Sequence, residues 1–97
     1  MPTYATTARF QRDFDDLSPE EKDDFKRAVR KFVEDLDSGG PFRKGLRVKG
    51  VQGAPGVFEM TWGDNGRATF EYGEEVVEGE AHVIWRRCGG HEIFGSP

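Results

Sequence analysis

Near the end of the sequence, Trp85-Arg86-Arg87-Cys88-Gly89-Gly90-His91 brings two guanidiniums and an imidazole to a glycine-rich rim. Arginine carries a permanent, forked charge that suits oxyanions, and histidine moves protons near neutral pH. These residue types fit a site for a phosphate. They equally fit a core strand whose polar end is solvated, and the run alone does not separate the two readings. A second group lies upstream. Residues 41–67 carry Arg43, Lys44, Arg47, Lys49 and Arg67 against only Glu59 and Asp64, in a chain of net charge −4. Overall acidity argues against nonspecific coating of nucleic acid, yet it leaves room for a local basic site.

The chain has 97 residues, 35% hydrophobic and 33% charged, with 8 Phe and 2 Trp to supply packing area. That is one domain with one modest core. The single cysteine, Cys88, rules out an intramolecular disulfide or a multi-cysteine zinc site, and fits a reducing, cytoplasmic setting. No apolar run approaches the ~18 residues of a membrane span, and no signal-peptide pattern opens the chain.

Two helices precede the strands. Phe10, Phe14 and Leu17 recur at i, i+4 and i+7, predicting a helix over about 9–17. Ser18-Pro19-Glu20-Glu21 then reads as a capping box with proline at the first helical position. Phe25, Ala28, Val29, Phe32, Val33 and Leu36 continue as one apolar stripe over about 19–37, ended by Gly39-Gly40-Pro41. The charged residues between them read as a solvated face. After Pro41 the period becomes two, predicting strands over about 43–50, 57–62, 67–72 and 81–87, with a short additional strand at Tyr4–Thr7. Gly63-Asp64-Asn65-Gly66 is a hairpin turn in which Asn-Gly can supply positive φ angles. The expected architecture is α+β, a helix hairpin packed on one face of a curved, mainly antiparallel sheet of four to five strands.

Alternation then sorts the side chains. Leu46, Val48, Phe58, Met60, Trp62, Phe70, Tyr72, Val83 and Trp85 would face the helices. Arg47, Lys49, Glu59, Thr61, Arg67, Thr69, Glu71, His82, Ile84 and Arg86 would share the opposite face, with His91 at its edge. Any one of these charges alone suggests only solubility. Together they form a largely basic surface holding one carboxylate and one imidazole, which suits metal-free RNA cleavage. One group takes the 2′-OH proton, cations hold the charge gathering on phosphate, and another group protonates the departing 5′ oxygen.

The order of elements, with Leu46-Arg47-Val48-Lys49, Phe58-Glu59-Met60-Thr61-Trp62, Gly66-Arg67-Ala68-Thr69-Phe70 and Trp85 to Phe94, is similar to the RelE/ParE family of type II toxins. The likeness spans nearly the whole chain, and its most specific part is the closing segment, comparable to an Arg-Arg-x-Gly-x-His-Asp-Ile-aromatic pattern. It implies a helix hairpin on a curved sheet and a microbial, cytoplasmic origin. It also implies an antitoxin partner in a toxin–antitoxin hetero-oligomer and, for RelE-like members, cleavage of mRNA in the ribosomal decoding site. That cleavage needs no metal or cofactor and leaves a 2′,3′-cyclic phosphate. By the same resemblance, Arg67 falls at a phosphate-binding arginine of the third strand. Arg47 and Lys49 match basic residues of the second, and Arg86, Arg87 and His91 match the family's last arginine or histidine.

The candidate catalytic residues are therefore Arg67, His91, Arg86 and Glu59, and the candidate RNA-binding residues are Arg47, Lys49, Arg87 and Phe94. His91 is the leading general acid, against a polar cap on the sheet edge. Glu59 is a possible base, with a salt bridge to Arg67 or Lys49 the stronger reading. Arg87 has pairing with a helix carboxylate as its alternative, and Cys88 reads as a small buried hydrophobe rather than a nucleophile. The sequence departs from the family pattern at Phe94, where several RelE-like toxins carry a tyrosine. Phenylalanine stacks on a base but moves no proton. Gly90 and Cys88 also stand where bulkier residues are expected, which would loosen the rim. A gyrase-binding inhibitor without chemistry and a degenerate toxin serving as an antitoxin-binding co-repressor are the alternative functions.

Overall fold

The computed structural model describes residues 1–97. In chain order it has β1 (Thr3–Thr6), α1 (Ala8–Asp15), α2 (Pro19–Ser38), β2 (Lys49–Gly50), β3 (Phe58–Trp62), β4 (Gly66–Gly73) and β5 (His82–Gly89). Two 3₁₀ turns, Lys44–Leu46 and His91–Gly95, complete it. The five strands form one sheet in the order β1-β5-β4-β3-β2, antiparallel except where β1 runs parallel to β5. This is the expected α+β arrangement.

Both helix starts are fixed by side chains. The Thr7 hydroxyl accepts from the Phe10 N–H at 3.0 Å. At α2, Glu21 N–H donates to the Ser18 hydroxyl at 3.2 Å, and Ser18 N–H donates to the Glu21 carboxylate at 2.8 Å. Each bond satisfies a backbone donor that the first turn leaves free. Gly39 ends α2 in the left-handed region at φ 72°.

The face of α2 that meets the sheet is aromatic. Phe25 lies 5.6 Å from Trp62 and 5.7 Å from Trp85, ring centre to ring centre, and Phe32 lies 4.9 Å from Phe70 and 5.3 Å from Trp85. Tilted and edge-on pairs of this kind add about 0.5–1.5 kcal/mol each beyond the area they bury. Met60, Ala68, Val83 and Cys88 close the same core.

Three local expectations are corrected. Residues 43–50 do not form a strand: Lys44–Leu46 is a 3₁₀ turn, Arg47 sits at φ 50°, and only Lys49–Gly50 pairs with β3. Leu46 is still buried, so the apolar period held while the backbone took another course. In the β3–β4 hairpin, Trp62 pairs with Gly66 and the positive φ belongs to Gly63, at 57°, rather than to Asn65-Gly66. Gly66 is needed for a different reason: a Cβ there would lie 2.3 Å from the Trp62 indole. Tyr72 keeps the expected face, paired with Val83 and edge-on to Phe58 and Phe70, but at its margin, 44% exposed. Finally, the β4–β5 register shifts between Thr69 and Phe70, so Thr69 faces Arg87 and Phe70 faces Trp85. Arg86 is the extra residue of that bulge, and strict alternation fails beyond Trp85.

The sheet's second face is partly covered. Turn His91–Gly95 folds back onto β4 and β5, burying Ile93 outside the aromatic core. At Gly89 and Gly90 the Glu92 carboxylate occupies the space a Cβ would take, at 2.9 and 2.6 Å, so that side chain lies close against the start of the turn. No helix is long and apolar enough to cross a membrane.

Candidate functional site

Between the edge of this turn and strands β2–β4 lies an open cleft of about 470 Å³. Arg47, Lys49, Glu59, Arg67, His91 and Phe94 line it, together with Val51, Gln52 and Thr61. Six of the eight residues singled out from the sequence therefore meet in one place.

Each is delivered by a different device. Glu59 and Thr61 project from one face of β3, two residues apart, opposite Lys49 and Arg67 in the strand register. Arg67 opens β4 and is fixed at its backbone, because the Trp62 indole N–H donates to its carbonyl at 2.9 Å. Its guanidinium donates to the Gly66 carbonyl at 2.8 Å and makes no ion pair. Arg47 reaches the cleft from the left-handed region, a conformation costing an L-residue roughly 1–2 kcal/mol. Such outliers persist where surrounding structure holds them, often beside a site. His91 and Phe94 share the C-terminal turn, their rings edge-on at 5.3 Å.

Three permanent cations face one carboxylate here, so the cleft carries excess positive charge. Lys49 Nζ lies 3.9 Å from Glu59 Oε1, with the lysine side chain 66% exposed and the glutamate 16%. At that separation and exposure the pair is worth about 1 kcal/mol at most. It tethers Glu59 loosely and leaves Arg47 and Arg67 uncompensated. An anion entering the cleft would gain two free guanidiniums.

Arg86 and Arg87 do not line this cleft, and Arg87 takes the alternative raised from the sequence, pairing with a helix carboxylate. They line a neighbouring recess with Thr7, Arg9, Gly53, Ala54, Ser96 and Pro97. Arg86 Nε donates to Pro97 O at 3.1 Å, and its Nη1 bonds Glu71 Oε2 at 3.2 Å. Arg87 is 11% exposed and uses all three nitrogens: Nε and Nη2 on the Asp13 carboxylate at 2.7 and 3.3 Å, and Nη1 on Ser96 O at 2.9 Å. Arg87 has three of its five N–H donors engaged inside the fold and its charge paired with Asp13, which leaves it less to offer a phosphate than Arg67. Cys88 is buried, and loss of solvation, then the Asp13 carboxylate, pushes its thiol up to about 12. It is no nucleophile at neutral pH.

Sequence reasoning missed Val51 and Gln52, which sit in a turn with no periodic signal. It also missed Asp13, whose only mark is a place on the charged side of a helix 74 residues from Arg87. No group of three or more His, Cys, Asp or Glu side chains is arranged to hold a metal ion.

No protein-family model and no curated protein sequence matches the chain. Solved structures do. YafQ from E. coli strain BL21(DE3) superposes with a TM-score of 0.65 at 11% identity, covering 95% of this chain and 96% of its own. RelE of the RelB–RelE antitoxin–toxin complex from Methanococcus jannaschii gives 0.60 at 17%, covering 95% of each chain. The YoeB dimer from Staphylococcus aureus gives 0.64 at 10%, covering 93% of this chain and 97% of its own. Helix hairpin, mixed five-stranded sheet and end-to-end coverage agree: the chain has the fold of the RelE-like toxins.

Proposed function

We propose that this chain is the toxin of a type II toxin–antitoxin pair and acts as a cytoplasmic, ribosome-dependent mRNA endonuclease that inhibits translation. The observation that carries the reading is the meeting of uncompensated Arg47 and Arg67 with Glu59 and His91 in one open cleft. A surface that only binds has no need of a proton-transfer group beside a positively charged cleft. In the reaction, a 2′ oxygen attacks the adjacent phosphorus as its proton leaves to Glu59 or to water. The P–O5′ bond breaks, and His91 gives a proton to the departing O5′, leaving a 2′,3′-cyclic phosphate and a 5′-OH. Arg67 and Arg47 hold the charge that gathers on the phosphoryl oxygens, and Lys49 orients Glu59. Phe94, beside His91, offers a ring on which a base stacks. Proton transfer contributes roughly 10²–10⁴-fold and charge stabilisation a comparable factor. No metal enters this scheme.

The partner is an antitoxin. RelE and YafQ have been solved in complexes with RelB and DinJ. Here an acidic, extended antitoxin segment would lie across the cationic cleft or the helix hairpin. Beside that hairpin, Tyr4, Phe14, Val29 and Val33 line an apolar groove rimmed by Lys26 and Arg30.

Expression of the wild type and of Arg67→Ala and His91→Ala in bacteria, with 5′ ends of a reporter mRNA mapped by primer extension, tests the reading. Cuts within translated codons that vanish in both variants support it. Growth arrest with intact mRNA and altered DNA supercoiling would replace it with gyrase inhibition. Neither arrest nor cuts would leave a binding protein.

A further inference from the structure

We infer that Asp13, near the C-terminal end of α1, is a positioning residue for the cleft: through Arg87 it fixes the turn that carries His91 and Phe94. The inference rests on His91 acting as general acid. Turn His91–Gly95 is a five-residue 3₁₀ segment, too short to hold its shape by its own hydrogen bonds. Besides a bond from Arg86 Nε to Pro97 O at 3.1 Å just beyond its end, three anchors hold it. Gly90 N–H donates to Glu92 Oε1 at 3.0 Å at its start, Ile93 is buried at its middle, and the Ser96 carbonyl accepts from Arg87 Nη1 at 2.9 Å at its end.

The third anchor is only as rigid as the guanidinium. Arg87 is held by the Asp13 carboxylate at 2.7 and 3.3 Å, and Asp13 Oδ2 also accepts from the Cys88 N–H at 3.2 Å. One carboxylate therefore fastens both the side chain and the strand backbone just before the glycine turn. Without it, an arginine with several rotatable bonds is free, and Ser96 loses a fixed donor. The fold retains its aromatic core, in which Asp13 has no part. His91 is left on a loosened turn, where a misplacement near 1 Å can cost up to about 10²-fold.

The test compares Asp13→Asn, His91→Ala and Asp35→Asn on ribosomes holding a defined mRNA. Asp35 is the matched control: it pairs with Arg43 at 2.8 and 2.9 Å on the far end of α2. Each protein is given an ordinary scissile linkage and one with sulfur bridging at the 5′ position, whose thiolate leaves without a proton. Asp13→Asn is expected to slow the ordinary linkage about 10- to 100-fold and the sulfur linkage less than about three-fold. Asp35→Asn should slow neither. Equal slowing of both linkages by Asp13→Asn, or no slowing, overturns the inference while His91→Ala remains selective. If His91→Ala is itself unselective, the general-acid reading falls and takes the catalytic part of the inference with it. A second measurement does not depend on activity. Amide exchange at Ile93 and Ser96, bonded to Gly90 O and Ile93 O, should quicken about ten-fold or more in Asp13→Asn while β4 amides stay protected. Unchanged exchange at those two amides overturns the clamp outright.

Discussion

Arg67 and Arg87 lie two positions apart across the β4–β5 ladder, where Arg67 pairs with Gly89, yet they live in opposite surroundings. Arg67 meets one backbone carbonyl and no carboxylate, in an open cleft it shares with Arg47. Arg87 is enclosed, with Asp13 on two nitrogens and Ser96 on the third. Arg86 sits between these cases, half-buried and paired with Glu71. A guanidinium whose charge is paired and most of whose donors are used inside the fold is a structural clip. One whose donors face water is available to a ligand. Residue type did not distinguish them, and hydrogen-bond accounting does.

The contrast is tested most strongly at Arg67. Arg67→Ala should lower mRNA cleavage about 10²–10³-fold while thermal melting stays within about 3 °C of wild type, since the side chain makes no ion pair. Arg87→Ala should do the reverse. It leaves the largely buried Asp13 carboxylate unpaired, at about 1–3 kcal/mol, or a Tm loss of roughly 5–20 °C for a domain of this size. Should Arg67→Ala unfold the protein while Arg87→Ala only slows cleavage, the division of labour is inverted.

Beneath the cleft, the Thr69 hydroxyl is fully buried with no hydrogen-bond partner. Thr69→Val keeps its shape and removes the stranded polar atom, so denaturant titration should show a gain of about 0.5–2 kcal/mol. A loss would mean the hydroxyl has a partner in solution.

Glu59→Gln separates salt bridge from base. With Lys49 so exposed, cleavage should fall less than about ten-fold, and a loss beyond about 10²-fold would make Glu59 the base.

The smallest effect is at Glu92, whose carboxyl is held below its usual value chiefly by the Gly90 N–H. A lowered folded-state value contributes stability that is present above the unfolded value near 4.5 and is lost as pH falls through the folded value. Glu92→Gln should therefore melt slightly below wild type at neutral pH, with the gap closing in acid beyond pH 4.5. A gap independent of pH would remove the carboxylate from the turn's anchoring.

How much of this was written in the sequence varies with distance along the chain. Ser18 and Glu21 announced their own capping box, because both partners lie within one helical turn. Phe25, Ala28 and Phe32, with Met60, Trp62, Phe70, Val83 and Trp85, declared the core by period alone. The same period put Lys49, Glu59 and Arg67 on the opposite face, where they line the cleft, and Arg47 joins them by a turn the period did not show. The turn at Arg47 and the Gly63 conformation were hidden, because an apolar period fixes which way side chains point and leaves the backbone's route open.

The sequence by itself thus determined the layers, which face of the sheet is apolar, and the largely basic character of the other. Those are consequences of local periodicity and of burial, which any strand or helix of this pattern must satisfy. Only the tertiary structure decided which arginines remain free. That choice depends on a β-bulge that offsets Arg86 and on a carboxylate, Asp13, brought to Arg87 from 74 residues away. A one-residue shift in register and a long-range ion pair leave no period in the chain, so neither can be read before the chain has folded.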